Sequence, residues 1–303
     1  MTASVPHATT RTLDPAAARR TRLRLAAQTE APWLHAESAR RMAERLVLIR
    51  QLPLRVLDWS GRAGGSAEVL TQALPQAQHS RLLLPGEPAT AQHQGWWQRL
   101  LPGRRSVAEV AAAAVPAASF DMVWSAMGLH WEVDPPAALR QWRQALSPEG
   151  FLMFSTLGPG TLGQLRALYR DVGWGSAMAP MVDMHDLGDM MVEAGLADPV
   201  MDQETLRLTW ATPEALLVEL RTLGGNADPA RSLGLRTPRW HRRLLAALAE
   251  RAGPDGRIAL DFELVYGHAF QKPEPGPRVS PNTVIGLDEM KLILRKPRQG
   301  KAD

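Results

Sequence analysis

The chain has 303 residues and no cysteine, which excludes disulfides, zinc–thiolate sites and a cysteine nucleophile while leaving ample length for a buried core. Hydrophobic residues make up 45% and charged residues 22%, which speaks against a disordered chain; no apolar run reaches the ~18 residues of a membrane span, and the first 24 residues lack the apolar stretch of a secretory signal. The net charge of +4 rests almost wholly on arginine, whose forked guanidinium suits carboxylates and phosphates, but a composition bias alone does not make a nucleic-acid site. A cytoplasmic monomer without nucleic-acid, membrane or metal partners is the expectation.

Asp14-Pro15 reads as the cap of a helix running to about Gln28, and Pro32-Trp33-Leu34 breaks it. A second helix, His35 to Arg50, carries Ala39, Met42, Ala43, Leu46 and Ile49 at helical spacing. Leu54 to Asp58 is a short buried strand. It runs into the turn Trp59-Ser60-Gly61-Arg62-Ala63-Gly64-Gly65, and a helix follows from Ala67 to Leu74. Arg81 to Leu84 is a second strand, Gly95 to Leu101 a helix, and Val107 to Ala114 reads as helix or strand. Phe120 to Ser125 is a central strand. Asp134-Pro135-Pro136 opens a helix to Leu146, Ser147-Pro148-Glu149-Gly150 is a turn, and Phe151 to Thr156 is the next strand.

Beyond Gly158 the spacing loosens. Helices are expected at Leu162 to Tyr169, His185 to Ala194, Pro213 to Leu223 and Pro238 to Ala252, with strands at Thr205 to Trp210 and Ala259 to Tyr266. A proline- and glycine-rich excursion, Lys272 to Gly286, precedes a final strand, Leu287 to Leu294. Strands alternating with helices specify a doubly wound α/β domain, with a mixed sheet of about seven strands and helices on both faces. The chain divides into an N-terminal arm or lid, residues 1–34, an α/β domain, residues 35–295, with an insertion at about 158–255, and a loose tail, residues 296–303. Residues 1–12 also read as loose.

Strand, glycine-rich turn and helix is how such a domain holds a nucleotide-like ligand at its first crossover. Asp58 ends the strand, where its carboxylate can accept the turn's N–H groups or face a ligand's ammonium. Gly61, Gly64 and Gly65 allow close backbone approach, and Ser60 is small enough to stand in for a glycine. Arg62 is not. It either swings outward or folds across the pocket onto Asp58. An acid about twenty residues beyond such a turn commonly bonds ribose hydroxyls; Pro85 stands there, with Glu87 two residues on, either reaching the site or lying in an exposed turn. Glu109 is a candidate on the adenine side. Asp121, Ser125, His130 and Trp131 belong to the central strand and the loop after it, where ligands of open α/β sheets bind. Asp183 and His185 read as a helix cap and first turn rather than metal ligands.

Phe120 to Ser125, Leu129-His130-Trp131, Pro135 to Leu139 and Phe154-Ser155-Thr156-Leu157-Gly158-Pro159-Gly160-Thr161-Leu162 together resemble one family. So do Val182 to Asp189, Ala194 to Asp202 and Val265-Tyr266-Gly267-His268-Ala269. The chain is similar, over roughly residues 40–270, to the malonyl-acyl carrier protein O-methyltransferases of biotin synthesis. The resemblance implies a Rossmann-like class I methyltransferase sheet with S-adenosylmethionine as cofactor. It implies methylation of the free carboxylate of a malonyl thioester, with an acyl carrier protein as partner. His130, Trp131 and Tyr266 are the candidate pocket residues, and Asp58, Ser60, Gly61, Gly64, Glu87, Asp121 and Ser125 the candidate cofactor residues. The glycines of the class motif D-x-G-x-G-x-G fall on Ser60, Arg62 and Gly64, so two of the three are replaced. That departure raises an alternative: a non-enzymatic relative that binds a carrier protein or acyl ligand without methyl transfer. On charge, Arg166 and Arg170, or Arg140 and Arg143, would meet the acidic carrier.

Overall fold

A computed structural model of the chain describes residues 11–89 and 107–271. Its seven strands are β1 (Arg55–Asp58), β2 (Gln78–Leu83), β3 (Ala108–Ala111), β4 (Phe120–Ser125), β5 (Leu146–Leu157), β6 (Leu196–Trp210) and β7 (Ile258–Gln271). They form one sheet in the order β3-β2-β1-β4-β5-β7-β6. The first five are parallel to one another, and β7 pairs antiparallel with both β5 and β6. The winding direction reverses between β1 and β4, the place where an open α/β sheet offers a crevice at its carboxyl edge.

Eight helices accompany the strands: α1 (Pro15–Ala26), α2 (Trp33–Arg45), α3 (Ala67–Ala73), α4 (Pro135–Ala145), α5 (Gly163–Val172), α6 (Met184–Glu193), α7 (Pro213–Thr222) and α8 (Pro238–Ala249). Side chains alternate across a strand, so each strand feeds two cores. Val56, Met122, Trp124 and Met153 pack with α2, α3, α5, α7 and α8. Leu57, Val123, Leu152 and Phe154 pack with α4 and α6. Helices therefore cover both faces, as the alternating pattern requires. On the second face Trp142 is wholly buried and meets Trp59 edge-on at 6.1 Å.

The helix before β5 starts where the sequence says. Asp134 Oδ1 accepts the N–H of Ala137 at 2.9 Å, and Pro135-Pro136 occupy positions whose N–H would have no helical partner. Asp134→Ala should lower the unfolding free energy by about 1 kcal/mol, with Asp134→Ser restoring most of it in urea titrations.

Boundaries differ in several places, among them β2, which starts at Gln78 rather than Arg81, and β7, which runs to Gln271 rather than Tyr266. Ser147 to Gly150 is not a turn: β5 already begins at Leu146, with Glu149 at φ 67 and a register shift against β4 absorbing the extra residues. Residues 108–111 are strand, then one 3-10 turn. β6 starts nine residues before the expected Thr205, and α2 ends at Arg45 rather than Arg50, closing in a 3-10 turn. The expected helix at Gly95 to Leu101, the excursion at Lys272 to Gly286, the strand at Leu287 to Leu294, the tail at 296–303 and residues 1–10 lie outside the described residues.

Candidate active site at the carboxyl edge of the sheet

β1 delivers Asp58 to the carboxyl edge almost wholly buried. Its Oδ1 accepts the N–H of Ser60 at 3.0 Å and of Gly61 at 3.2 Å. Burial pushes the carboxyl up to about 7, against the downward pull of those two N–H groups and of Arg81. The turn then coils as one 3-10 turn, Gly61 to Gly64, and leaves through Gly65 at φ 67. Packing dictates the glycines. A Cβ on Gly61 would lie 2.6 Å from the Leu82 carbonyl oxygen, and one on Gly64 would lie 2.6 Å from the Ser60 Cβ. Ser60 Oγ sits 3.1 Å from Ser125 Oγ at the end of β4. Gly128 yields to this hydroxyl pair, since its own Cβ would meet either oxygen within 2.7 Å.

Arg62 takes neither expected course. It reaches sideways across the tips of β2 and β3, Nε 3.2 Å from Glu87 Oε1 and Nη2 3.0 Å from Glu109 Oε1, and it also donates to the Pro88 carbonyl at 3.1 Å. Glu87 is correspondingly no exposed turn residue. Its side chain is 4% exposed, and its other oxygen accepts the N–H of Leu84 at 3.1 Å. Arg81 holds Glu109 from the other side, with Nε at 3.1 Å. The free space bounded by Asp58, Gly61, Arg62 and Gly65 amounts to only about 50 Å³.

The N-terminal arm closes over this turn, and from Arg11 onward it is tied down. Asp14 caps α1, donates its N–H to the Ala227 carbonyl at 2.8 Å and pairs with Arg231 at 2.6 Å. Leu13, Ala18 and Leu25 are buried with Trp131 and Ala227. Arg19 donates to the Pro85 carbonyl at 3.2 Å, and α2 adds His35, whose Nδ1 lies 2.7 Å from the Ala63 carbonyl oxygen.

Beside the turn, under α5, α7 and α8, lies a chamber of about 320 Å³. His130 and Trp131 from the loop after β4, Thr161 after β5, Tyr169 of α5 and Trp240 of α8 contribute to its walls. His130 is buried, its Nδ1 is 3.4 Å from Thr156 Oγ1, and its Nε2 has no hydrogen-bond partner. Burial first, and then the cations His35, Arg11 and Arg22, hold its basicity well below the usual histidine range. His35 falls to about 4 by burial. Both rings are neutral at physiological pH, so the chamber is mostly apolar, with the Arg221 guanidinium as the charged group in its lining. Arg11 donates to the His130 carbonyl and fixes the backbone there.

Two expected site residues are placed elsewhere. Asp121 is the second residue of β4, at the amino edge of the sheet, where it pairs with Arg55 at 2.6 Å and accepts Ser147 Oγ at 3.0 Å. Distance along the strand removes it from any ligand at the carboxyl edge. Tyr266 lies within β7 opposite Ser155, with its hydroxyl on Glu204 at 2.7 Å and the Arg45 guanidinium 4.0 Å above its ring. It is not a wall of the chamber. Conversely, sequence reasoning missed Thr161, Tyr169 and Trp240 as walls; the apolar faces of α5 and α8 carried that signal without saying what they faced. The Asp183 expectation holds: its Oδ1 accepts the His185 N–H at 2.8 Å. Among the described residues no group of three or more acids and histidines could hold a metal.

For S-adenosylmethionine, the donor set fits in kind. Two carboxylates, Glu87 and Glu109, flank the edge where ribose hydroxyls and an adenine amino group would be bonded, and a small-residue turn faces them. Arg62 spans both acids and would have to leave them for those bonds to form.

The methyltransferase-domain family matches residues 28–198. The malonyl-acyl carrier protein O-methyltransferase of Gallionella capsiferriformans is 39% identical over 253 residues, 82% of this chain and 86% of that protein. The protein of the same description from Halorhodospira halophila is 39% identical over 245 residues, 80% of this chain and 82% of its own. Among solved structures, the YcgJ protein of Bacillus subtilis aligns with a TM-score of 0.50 at 14% identity, over 79% of this chain and 99% of that one, a likeness of fold.

Proposed function

The chain belongs to the malonyl-acyl carrier protein O-methyltransferase family, and from that premise we infer that it methylates the free carboxylate of a malonyl thioester on an acyl carrier protein, in the cytoplasm, as a step of biotin synthesis. The observation that carries the reading is the 39% identity extending over four-fifths of the chain. The cofactor is S-adenosylmethionine; bound, it supplies an electrophilic methyl group. We propose that Glu87 and Glu109 hold its adenosine end, with Asp58, Ser60, Gly61, Gly64 and Ser125 at its amino-acid end.

The chain's own part is placement and desolvation. A malonyl carboxylate is ionised at neutral pH and needs no base. Methylation turns that anion into a neutral ester, so a chamber that solvates anions poorly favours the reaction over the starting state. Neutral His130 and His35 and the aromatic walls provide such a chamber. His130 Nε2, buried and without a partner, is the atom that orients the thioester. Trp131, 5.0 Å from the imidazole between ring centres, keeps water from it.

The test is transfer of labelled methyl from S-adenosylmethionine to malonyl-acyl carrier protein, and no product above a blank rejects the reading. His130→Ala should lower kcat/KM about fivefold, the worth of one hydrogen bond. Between pH 6 and 8 the parent should show no histidine limb, because the ring is already deprotonated throughout that range.

A further inference from the structure

Between Asp228 and Glu250 the chain carries five arginines and not one acid. Arg231 is spent inside the fold, on Asp14. Arg236, Arg239, Arg242 and Arg243 are all exposed, and among the described residues none of them is in an ion pair. Elsewhere Arg40, Arg41, Arg45, Arg55, Arg62 and Arg81 each meet a carboxylate, while Arg20, Arg50 and Arg140 are exposed and in no ion pair among the described residues. Two exposed leucines accompany them: Leu233 is 80% exposed and Leu235 fully so.

The position of these arginines is informative. The Arg236 guanidinium lies 4.4 Å over the ring of Trp240, and that of Arg243 lies 5.8 Å over Trp174. Trp240, Trp174 and Tyr169 pack edge to face, and Trp240 and Tyr169 are also walls of the His130 chamber. The cations therefore rim the same aromatic group that encloses the chamber, with Arg221 exposed on its α7 side.

We propose that α8 and the loop before it are the docking surface for the carrier protein, with Arg236, Arg239, Arg242 and Arg243 meeting acidic residues of a helical partner and Leu233 and Leu235 seating against its apolar side. The proposal rests on the reading given under Proposed function. Its ground is charge complementarity: an acidic protein that carries its thioester on a flexible arm is drawn to an unpaired basic rim and threads the arm into the chamber beneath. The surface replaces both patches expected from sequence. Arg166 is half-buried and folds back onto the Pro159 carbonyl, and Arg170 lies 3.7 Å from Asp171, whereas Arg236, which donates to the Trp174 carbonyl at 2.9 Å, remains exposed and in no ion pair. Arg140 and Arg143 belong to α4, on the other face of the sheet from the chamber's helices, with Arg143 against Gly195.

The test compares two substrates on the full chain. Arg239→Glu/Arg242→Glu/Arg243→Glu should raise KM for malonyl-acyl carrier protein at least fivefold at low salt, leave kcat within twofold, and leave kinetics with malonyl-pantetheine unchanged. Leu233→Ser/Leu235→Ser, which alters no charge, should show the same selectivity. An unchanged KM for the carrier-bound substrate in both variants, or equal losses with both substrates, overturns the surface. If the parent transfers methyl to neither substrate, the functional reading fails. The surface is then read directly, by calorimetric binding of malonyl-acyl carrier protein to parent and variants, where equal affinities overturn it.

Discussion

Replacing Asp58 with asparagine should make the folded chain more stable at pH 8, by something of the order of 3–4 kcal/mol, and no more stable at pH 3.5. The reason is the buried carboxyl at the end of β1. Its folded value of about 7 lies above the ordinary 3.8, so the folded state holds a proton that the unfolded state has released. The contribution of Asp58 to stability then falls as pH rises through the window from about 4 to 7, by about 1.4 kcal/mol for each pH unit. Below pH 4 the group is protonated in both states and costs nothing. Asparagine keeps an oxygen for the N–H groups of Ser60 and Gly61 but carries no charge, so this contribution should vanish in the variant. Urea unfolding at pH 3.5, 6 and 8 reads this directly. Because His35 and His130, buried and neutral in the fold, themselves add stability as pH rises to about 6.5, the readout is the difference between variant and parent, and a difference that does not grow from pH 4 to 7 would show that Asp58 is ionised without penalty. The buried charge is destabilising in the fold and useful at a ligand site, a common arrangement where function draws on stability. S-adenosylmethionine affinity should therefore weaken in the same variant that gains stability.

Much of this arrangement was legible in the chain. β4 was readable to the residue, because Phe120 to Ser125 is a continuous apolar run broken only by Asp121. The caps Asp14, Asp134 and Asp183 marked three helix starts, since each has a short oxygen placed to accept the first free N–H groups. What failed to show was direction across space. Asp121 and Ser125 share one strand, yet only the second is at the ligand edge; the order of residues along β4 contains that answer. Tyr266 sits in a strand whose two faces are both covered, so alternation gives no clue to which side its hydroxyl takes. Pro148 and Gly150 mimic a turn because both are turn formers, whereas the sheet absorbs them as an irregularity in β5. The long edge strand β6 hid its first nine residues because its exposed side carries polar residues and its other side is only half-buried. The partners of Arg62 lie in the segment after β2 and in β3, 25 and 47 residues away in sequence, which local reasoning does not reach.

Those partners sharpen the expectation for the glycine turn itself. Ser60→Gly/Arg62→Gly should tighten S-adenosylmethionine binding by more than tenfold, or about 1.4 kcal/mol or more. Arg62 occupies the acids that the cofactor needs: Glu87 at 3.2 Å and Glu109 at 3.0 Å. In the parent the cofactor must displace a forked cation from a carboxylate that is 4% exposed, and the displaced guanidinium gains only water in exchange. In the variant, Glu109 still has Arg81, but Glu87 keeps only the Leu84 N–H, so its buried charge is poorly compensated until ribose hydroxyls reach it. Removing Ser60 Oγ also frees the space between Gly64, Gly128 and Ser125. The free variant should accordingly melt lower than the free parent, and the cofactor should raise its melting temperature by more. Arg62→Lys, which keeps a charge but loses the fork, should fall between the two. Equal affinities in parent and double variant would mean that the turn does not limit the site. The cause would then lie in α1, which Arg19 fastens over the β2 tip through the Pro85 carbonyl, and Arg19→Ala rather than Arg62→Gly would be the change that admits the cofactor.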